Sequence, residues 1–263
     1  MSAVIQEVGS ESARERPAAR ECMCRDHAQE AKLIQSSLLP TKGVYHESVE
    51  IAFGFAPFAQ VGGDFLDFFR LPDGFIGIYL GDVVGKGLPA AMYAALVTGT
   101  LRGIHKSGTD SASVLARLNE RLLQRPILGR FCSTLYALFN PATRELIFSN
   151  AGMPLPLLVS GTTCRELGEG GLPSGMFPGA AYAQHVVQLG AGDCVLFATD
   201  GLYESRNQEE VEFCTEQLKE VWAQCGHKSA NESADFIFDR QAAFSNGTAP
   251  HDDIAAVVLK VLP

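Results

Sequence analysis

The fold is decided by the stretch Gly62–Gly87, which reads GGDFLDFFRLPDGFIGIYLGDVVGKG. Two runs of aromatic and aliphatic residues flank a Pro-Asp-Gly turn at residues 72–74. This pattern predicts a β-hairpin, because Pro and Gly supply the dihedral angles of a tight turn. A turn centred on these residues sets Asp64 opposite Asp82 across the two strands.

The facing aspartates indicate a cation site. Like charges directly across an antiparallel pair are destabilising, so a sequence that sets Asp64 opposite Asp82 suggests a cation held between them. Carboxylate oxygens on rigid strands are the ligands that hard divalent ions prefer. The alternative is a slipped register that leaves both side chains in solvated turns. The hairpin alone leaves these two interpretations open.

Size and composition are those of a packed globular protein. The chain has 263 residues, of which 46% are apolar and 19% charged, enough for one sizeable domain or two small ones. The longest apolar run, Ala90–Val97, is far shorter than the ~20 residues of a membrane span. The N-terminus lacks a signal-peptide pattern. We therefore expect a cytoplasmic protein with no membrane partner.

Charge and cysteine content argue against two further classes of protein. A net charge of −9 without a basic stripe argues against nucleic-acid binding. The seven cysteines are odd in number and scattered along the chain, which favours reduced thiols over disulfides or a zinc site.

The chain divides into three parts. Residues 1–20 are polar without periodicity and predict a disordered tail. Residues 21–40 predict an N-terminal regulatory or linker helix whose apolar stripe packs on its own domain or pairs with a second copy. Residues 41–263 form the remaining domain. The stripe comprises Ala28, Ala31, Leu33, Ile34, Leu38 and Leu39.

Strands and helices come in blocks along residues 41–263. Because they do not alternate regularly, an α+β fold with antiparallel sheets and segregated helices fits better than a Rossmann-type fold. The predicted helices are 88–105, one capped by Asp110, 209–224 and 229–244. The predicted strands are 50–58, the two hairpin strands, 131–139, 144–149, 155–159, 183–189, 194–198 and 253–261.

Further aspartates stand where predicted strands begin or end. Asp200 follows the strand 194–198 and precedes Gly201, and Asp252-Asp253 opens the last strand. These strands could gather four or five carboxylates around one cleft. Two ions ~3.5–4 Å apart in such a cleft can activate a water and clamp a phosphoryl oxygen.

Three charged residues nearby have simpler interpretations. We expect Asp73 to form the turn and Asp67 to be a hydrogen-bonding neighbour of the site. Lys86, between two glycines, could attract a phosphate, but a solvated loop residue is the favoured interpretation.

An ordered series of motifs resembles a known family, the bacterial PP2C-like (PPM) serine/threonine phosphatases, and within it the SpoIIE and RsbU branch. The resemblance runs from about residue 28 to the C-terminus. The motifs are Gly63-Asp64…Asp67, Gly81-Asp82-Val83-Val84-Gly85-Lys86-Gly87, Ser149-Asn150-Ala151-Gly152, Gly192-Asp193, Thr199-Asp200-Gly201-Leu202-Tyr203-Glu204 and Asp252-Asp253-Ile254.

The resemblance implies a four-layer α-β-β-α sandwich of two antiparallel sheets, with 41–263 as the phosphatase domain. It also implies two Mn²⁺ or Mg²⁺ ions. By motif position, Asp82 bridges both ions and the Val83 carbonyl ligates one. Asp200 and Asp252 complete the protein ligands of the second ion.

The same resemblance assigns the remaining site residues and the chemistry. Asp64 lies near the ions, partly through water, and Asp253 is the less favoured metal ligand of its pair. Asp64, Asp82 and Asp200 are the implied catalytic residues, and a metal-activated water is the nucleophile.

The implied function is hydrolysis of phosphoserine or phosphothreonine in a protein. The implied substrate is a phosphorylated anti-sigma factor antagonist (STAS-type) in bacterial partner-switching signalling. The N-terminal helix would bind a regulatory partner or form a homodimer.

Two departures from the family motifs support an alternative function. Met153 stands where the family has His after Ser-Ala-Gly, and Ala255 stands where it has Thr. The alternative is a catalytically degenerate PP2C-like module that binds a phosphorylated regulatory partner. The retained aspartates favour the enzyme, since clustered acids cost stability unless they are neutralised.

Overall fold

The computed structural model describes residues 17–105 and 110–263, with side chains from residue 27 onward. The predicted tail, residues 1–20, lies outside the described residues except at 17–20, where the first helix has already begun. None of the described helices combines the length and the apolar character of a membrane span.

Two sheets and six helices make up the described chain, and every strand pair is antiparallel. The helices are α1 (Pro17–Leu38), α2 (Gly87–Ile104), α3 (Ser111–Gln124), α4 (Asp200–Tyr203), α5 (Thr215–Trp222) and α6 (Ala230–Ser245). The six-stranded sheet has the order β1 (Val44–His46), β2 (Val49–Ala56), β11 (Ile254–Val261), β10 (Cys194–Ala198), β7 (Leu157–Ser160), β8 (Thr163–Glu166). The five-stranded sheet has the order β3 (Phe65–Arg70), β4 (Ile76–Val83), β5 (Cys132–Asn140), β6 (Glu145–Ala151), β9 (His185–Gln188).

The two sheets pack face to face over a shared apolar core. Leu66 and Ile78 of one sheet belong to the same buried cluster as Phe197 and Val257 of the other. Separate buried clusters join α2 and α3 to the five-stranded sheet, and α5 and α6 to the six-stranded sheet. This confirms the predicted four-layer α-β-β-α sandwich.

The hairpin has the predicted register. Phe65 pairs with Gly81 at the open end of the ladder, so Asp64 and Asp82 occupy the next facing positions. At the turn, Oδ1 of Asp73 accepts a hydrogen bond from the amide of Phe75 at 3.3 Å. The role of Asp73 as a turn former is confirmed.

The predicted helix 209–224 was wrong at its start, because α5 begins only at Thr215. The side chain of Asn207 accepts hydrogen bonds from the amides of Glu209 and Val211, and Glu210 has a φ of 58°. These local contacts fold the segment into a turn, which a side-chain amide favours over a helix.

Helix α1 contacts the domain through part of the predicted apolar stripe, in which Ala28, Ala31 and Leu38 are half-buried. Leu33 and Ile34 are 64% and 62% exposed, whereas the polar Gln35 is buried. Leu39, just after the helix, packs against the central core. Packing on their own domain is therefore wrong for Leu33 and Ile34, and pairing of the stripe with a second copy stays a prediction.

Candidate metal centre

The predicted acidic residues meet at one end of the sandwich. Asp64 precedes β3 and Asp82 lies in β4, while Asp200 begins α4 directly after β10. Asp252 and Asp253 precede β11, the neighbour of β10 in the other sheet. Elements from both sheets thus deliver all five carboxylates to one cluster, where they influence one another electrostatically.

Glycines allow the backbone to approach this cluster. A side-chain carbon added at Gly62 would lie 2.0 Å from Oδ1 of Asp253, and one added at Gly201 would lie 1.9 Å from the carbonyl oxygen of Asp253. At Gly63 an added carbon would lie 2.8 Å from the Val83 carbonyl oxygen and 3.0 Å from Oδ1 of Asp82. The Val83 carbonyl and the Asp82 carboxylate therefore border the same space.

Asp64 is a buried carboxylate with one close hydrogen-bond donor. Burial and the charge of Asp82 raise its pKa well above the ordinary value. The hydroxyl of Thr199 donates to Oδ2 of Asp64 at 2.8 Å and accepts from the amide of Ala255 at 2.9 Å. Thr199 thus ties Asp64 to β11, a role that the sequence did not reveal.

Asp82 lies where the charges of the cluster converge. Burial, followed by the charges of Asp200 and Asp252, raises the pKa of Asp82 to about 8. Burial and Asp252 also raise the pKa of Asp200. Ionising all of these carboxylates would therefore place more negative charge in this small volume than the protein by itself neutralises.

The adjacent Asp252 and Asp253 have different surroundings. Both oxygens of Asp253 accept backbone hydrogen bonds, Oδ1 from Phe58 at 2.7 Å and Oδ2 from Gly63 at 2.6 Å, and the residue is 2% exposed. Asp252 is more open and forms an ion pair with Lys86. These contacts assign Asp253 to holding the loop before Asp64, and they leave Asp252 as the ligand candidate of the two.

Lys86 is an exposed loop residue, as predicted, but its ammonium has protein partners as well as solvent. Its ammonium lies 2.9 Å from Oδ2 of Asp252, donates to the carbonyl of His251 and sits 5.1 Å from the centre of the Phe58 ring. The partners come from distant parts of the chain, so no local pattern could have indicated them.

The donor set fits hydrated divalent ions. In the described part of the chain, no group of three or more His, Cys, Asp or Glu side chains is placed so that it could hold a metal ion by itself. Mg²⁺ does not require three such side chains, because it keeps several waters and takes one or two carboxylates. Carboxylates and a backbone carbonyl are also the oxygen ligands that Mg²⁺ and Mn²⁺ prefer. Divalent ions would also neutralise the negative charge that these carboxylates carry when they are ionised.

Two contacts connect the site to helices α1 and α2. Gln35 of α1 donates to the Gly62 carbonyl at 2.8 Å and accepts from the Gly62 amide at 3.1 Å. Asp67 forms an ion pair with Arg102 of α2 at 2.7 Å and accepts from the hydroxyl of Tyr79. The hydrogen-bonding role predicted for Asp67 is confirmed. Gln35 was missed, although a polar residue inside an apolar stripe was a usable signal.

The two departures from the motif pattern lie behind the carboxylates. Met153 is buried, and its sulfur accepts a hydrogen bond from Ser133, the cross-strand partner of Asp82. Ala255 is buried in the core between the sheets. Both side chains support strands, and neither occupies a ligand position of the cluster.

Comparisons with known proteins identify relatives of this chain. The family model described as Stage II sporulation protein E (SpoIIE) matches residues 72–262. The phosphoserine phosphatase RsbU of Bacillus subtilis (strain 168) is 26% identical over 229 residues, covering 86% of this chain and 68% of RsbU.

Solved structures share the fold. The SiaA-PP2C domain of Pseudomonas aeruginosa superposes with a TM-score of 0.82 at 20% identity, covering 94% of this chain and 99% of that domain. The catalytic domain of the serine/threonine protein phosphatase PstP, solved in complex with 2 manganese ions, has a TM-score of 0.60 at 14% identity, covering 82% of this chain and 99% of PstP. The sandwich is therefore PP2C-like.

Proposed function

The chain belongs to the SpoIIE family of PP2C-type serine/threonine phosphatases, and we propose that it hydrolyses phosphoserine or phosphothreonine in a protein with the help of two divalent ions. One observation carries this proposal. Five aspartates from both sheets converge at one end of the sandwich, and three of them have pKa values raised by their neighbours as well as by burial.

The ligands of the two Mn²⁺ or Mg²⁺ ions would come from the exposed side of the cluster. Asp82, the Val83 carbonyl, Asp200 and Asp252 would hold these ions. Ions bound there supply the positive charge that polarises a phosphoryl oxygen and makes a water nucleophilic at neutral pH. Asp64 would act from the buried side, partly through water.

The other residues of the site hold these groups in place. The hydroxyl of Thr199 orients the Asp64 carboxylate, and Asp253 fixes the loop before Asp64 through its two amide contacts. Such preorganisation matters because phosphoryl transfer depends on positioning and electrostatic stabilisation. In this account Asp253 is a positioning residue and not a ligand.

The surface beside the cluster suits a phosphorylated protein loop. A cleft of mixed charge opens there, lined by Lys86, Gly201, Glu204, Arg206, His251 and Asp252. Its two cationic residues favour the approach of a phosphate to an otherwise acidic site. RsbU is named a phosphoserine phosphatase, and the substrate we propose for this chain is a phosphorylated STAS-type anti-sigma factor antagonist in partner-switching signalling.

Helix α1 supports the regulatory part of the proposal. The exposed side chains of Leu33 and Ile34 leave an apolar patch on the same helix that holds Gln35 against the site. A regulatory partner or a second copy of the chain bound to this patch would act on the loop before Asp64. Sedimentation of wild-type protein and a Leu33→Lys variant tests for the second copy.

The function is tested by hydrolysis of p-nitrophenyl phosphate with added Mn²⁺. We expect turnover that requires the ion and is lost in Asp82→Asn and Asp200→Asn. Asp239→Asn, an exposed position on α6, is the matched control and should behave as wild type. Mn²⁺ binding without turnover of any phosphorylated substrate would favour the binding module over the enzyme.

A further inference from the structure

Lys86 places a tethered cation at the edge of the acidic cluster. Its ammonium is held by one carboxylate oxygen, Oδ2 of Asp252, and by one backbone carbonyl, that of His251. Its side chain is 45% exposed and lies over the ring of Phe58, so the ammonium has room to leave.

The ammonium of Lys86 contacts the same kinds of oxygen atom that bind a divalent ion. A carboxylate and a carbonyl are typical ligands of Mg²⁺ and Mn²⁺. The positive charge of Lys86 also acts on Asp200, where it opposes the effect of burial on the pKa. Lys86 therefore interacts with both carboxylates that would complete the second ion's ligands.

An ion bound to Asp252 weakens the ion pair between this carboxylate and the Lys86 ammonium, because the two positive charges repel. We propose that Lys86 is a built-in competitor of the divalent ion at the Asp200–Asp252 side of the site, and that ion binding displaces its ammonium into the adjacent cleft. The proposal rests on the proposed function, since it requires an ion at Asp252.

The competition predicts that removing the charge of Lys86 tightens ion binding. Lys86→Met keeps most of the aliphatic chain over Phe58 and removes only the ammonium. An exposed ion pair contributes little free energy. The dissociation constant of the Mn²⁺ at Asp200 and Asp252 should therefore fall by only roughly two- to fivefold. If Lys86 instead only orders Asp252, the same change weakens binding.

The experiment is titration of the full chain with Mn²⁺ by calorimetry. The variants are Lys86→Met and Lys219→Met, the latter removing a lysine that pairs with Glu166 at 3.2 Å and has no contact with the acidic cluster. Thermal unfolding in EDTA checks that both variants fold. We expect tighter Mn²⁺ binding in Lys86→Met alone.

Two results would overturn the proposal, and they differ. Mn²⁺ binding that is unchanged or weaker in Lys86→Met, with normal binding by the wild type, overturns the competition and leaves the phosphatase proposal standing. Absence of Mn²⁺ binding by both wild type and Lys86→Met overturns the metal centre and the competition together.

Discussion

Replacing Asp82 by Asn should stabilise the ion-free protein at high pH. In the folded protein the pKa of Asp82 is raised from 3.8 to about 8, by burial and by the neighbouring carboxylates. The folded state therefore holds this proton more tightly than the unfolded state. The penalty for ionising Asp82 is absent below pH 3.8, grows as the pH rises and is complete above pH 8. Asn stays neutral and avoids it.

The size of the effect on the free energy of unfolding follows from the shift in the pKa of Asp82. One pKa unit corresponds to about 1.36 kcal/mol, so the whole shift sets an upper limit of about 6 kcal/mol, of which up to about 4 kcal/mol falls between pH 5 and pH 8. Water reaches part of this carboxylate and screens it. We therefore expect the free energy of unfolding of wild type to fall by roughly 2 kcal/mol relative to that of Asp82→Asn over this pH interval.

The assay is urea unfolding in EDTA at pH 5 and pH 8, for wild type and Asp82→Asn, with Asp239→Asn as the control. Excess Mn²⁺ at pH 8 should reverse the order, because ions that bind only the folded state stabilise wild type and not the variant. If the free energies of unfolding of wild type and Asp82→Asn differ by the same amount at both pH values, ionisation of Asp82 does not destabilise the folded protein.

Three further predictions concern the groups that hold the site. Gln35→Ala should lower the free energy of unfolding, measured by urea titration, by about 1–3 kcal/mol, because the buried amide and carbonyl of Gly62 lose their partner. Ile34→Ala, at an exposed position on the same helix, should change it by less than about 0.5 kcal/mol. In ion-free protein, Asp253→Asn should lower the melting temperature more than Asp252→Asn, since an NH₂ group would face a backbone amide; equal effects would contradict the positioning role. Gly201→Ala should abolish Mn²⁺-dependent turnover because the added carbon has no space, and retained turnover would show that the loop does not constrain the site.

The parts of the fold that local chemistry determines could be predicted from the sequence. The Pro-Asp-Gly turn and the two flanking runs define the hairpin register, and the register alone sets Asp64 opposite Asp82. The capping side chain of Asp110, which accepts from the Ser113 amide at 2.9 Å, likewise marks the start of α3.

The parts that depend on contacts between distant segments could not be predicted. The ion pair of Lys86 could not be predicted because its partner, Asp252, lies near the other end of the chain. The apolar pattern of α1 could not show that a polar residue, Gln35, makes the buried contact with Gly62, because Gly62 lies in a distant loop. No local pattern distinguishes the adjacent acids Asp252 and Asp253; the family resemblance favoured Asp252 as a ligand, and the structure adds the amide contacts of Asp253.

Phosphate release from a phosphoserine peptide, measured as Mn²⁺ is titrated into the full chain, tests whether the acidic cluster is a phosphatase centre. We expect release that rises with Mn²⁺, stops on addition of EDTA and falls to background in Asp82→Asn. Release that is independent of Mn²⁺, or that persists in Asp82→Asn, would contradict a phosphatase centre built on these carboxylates.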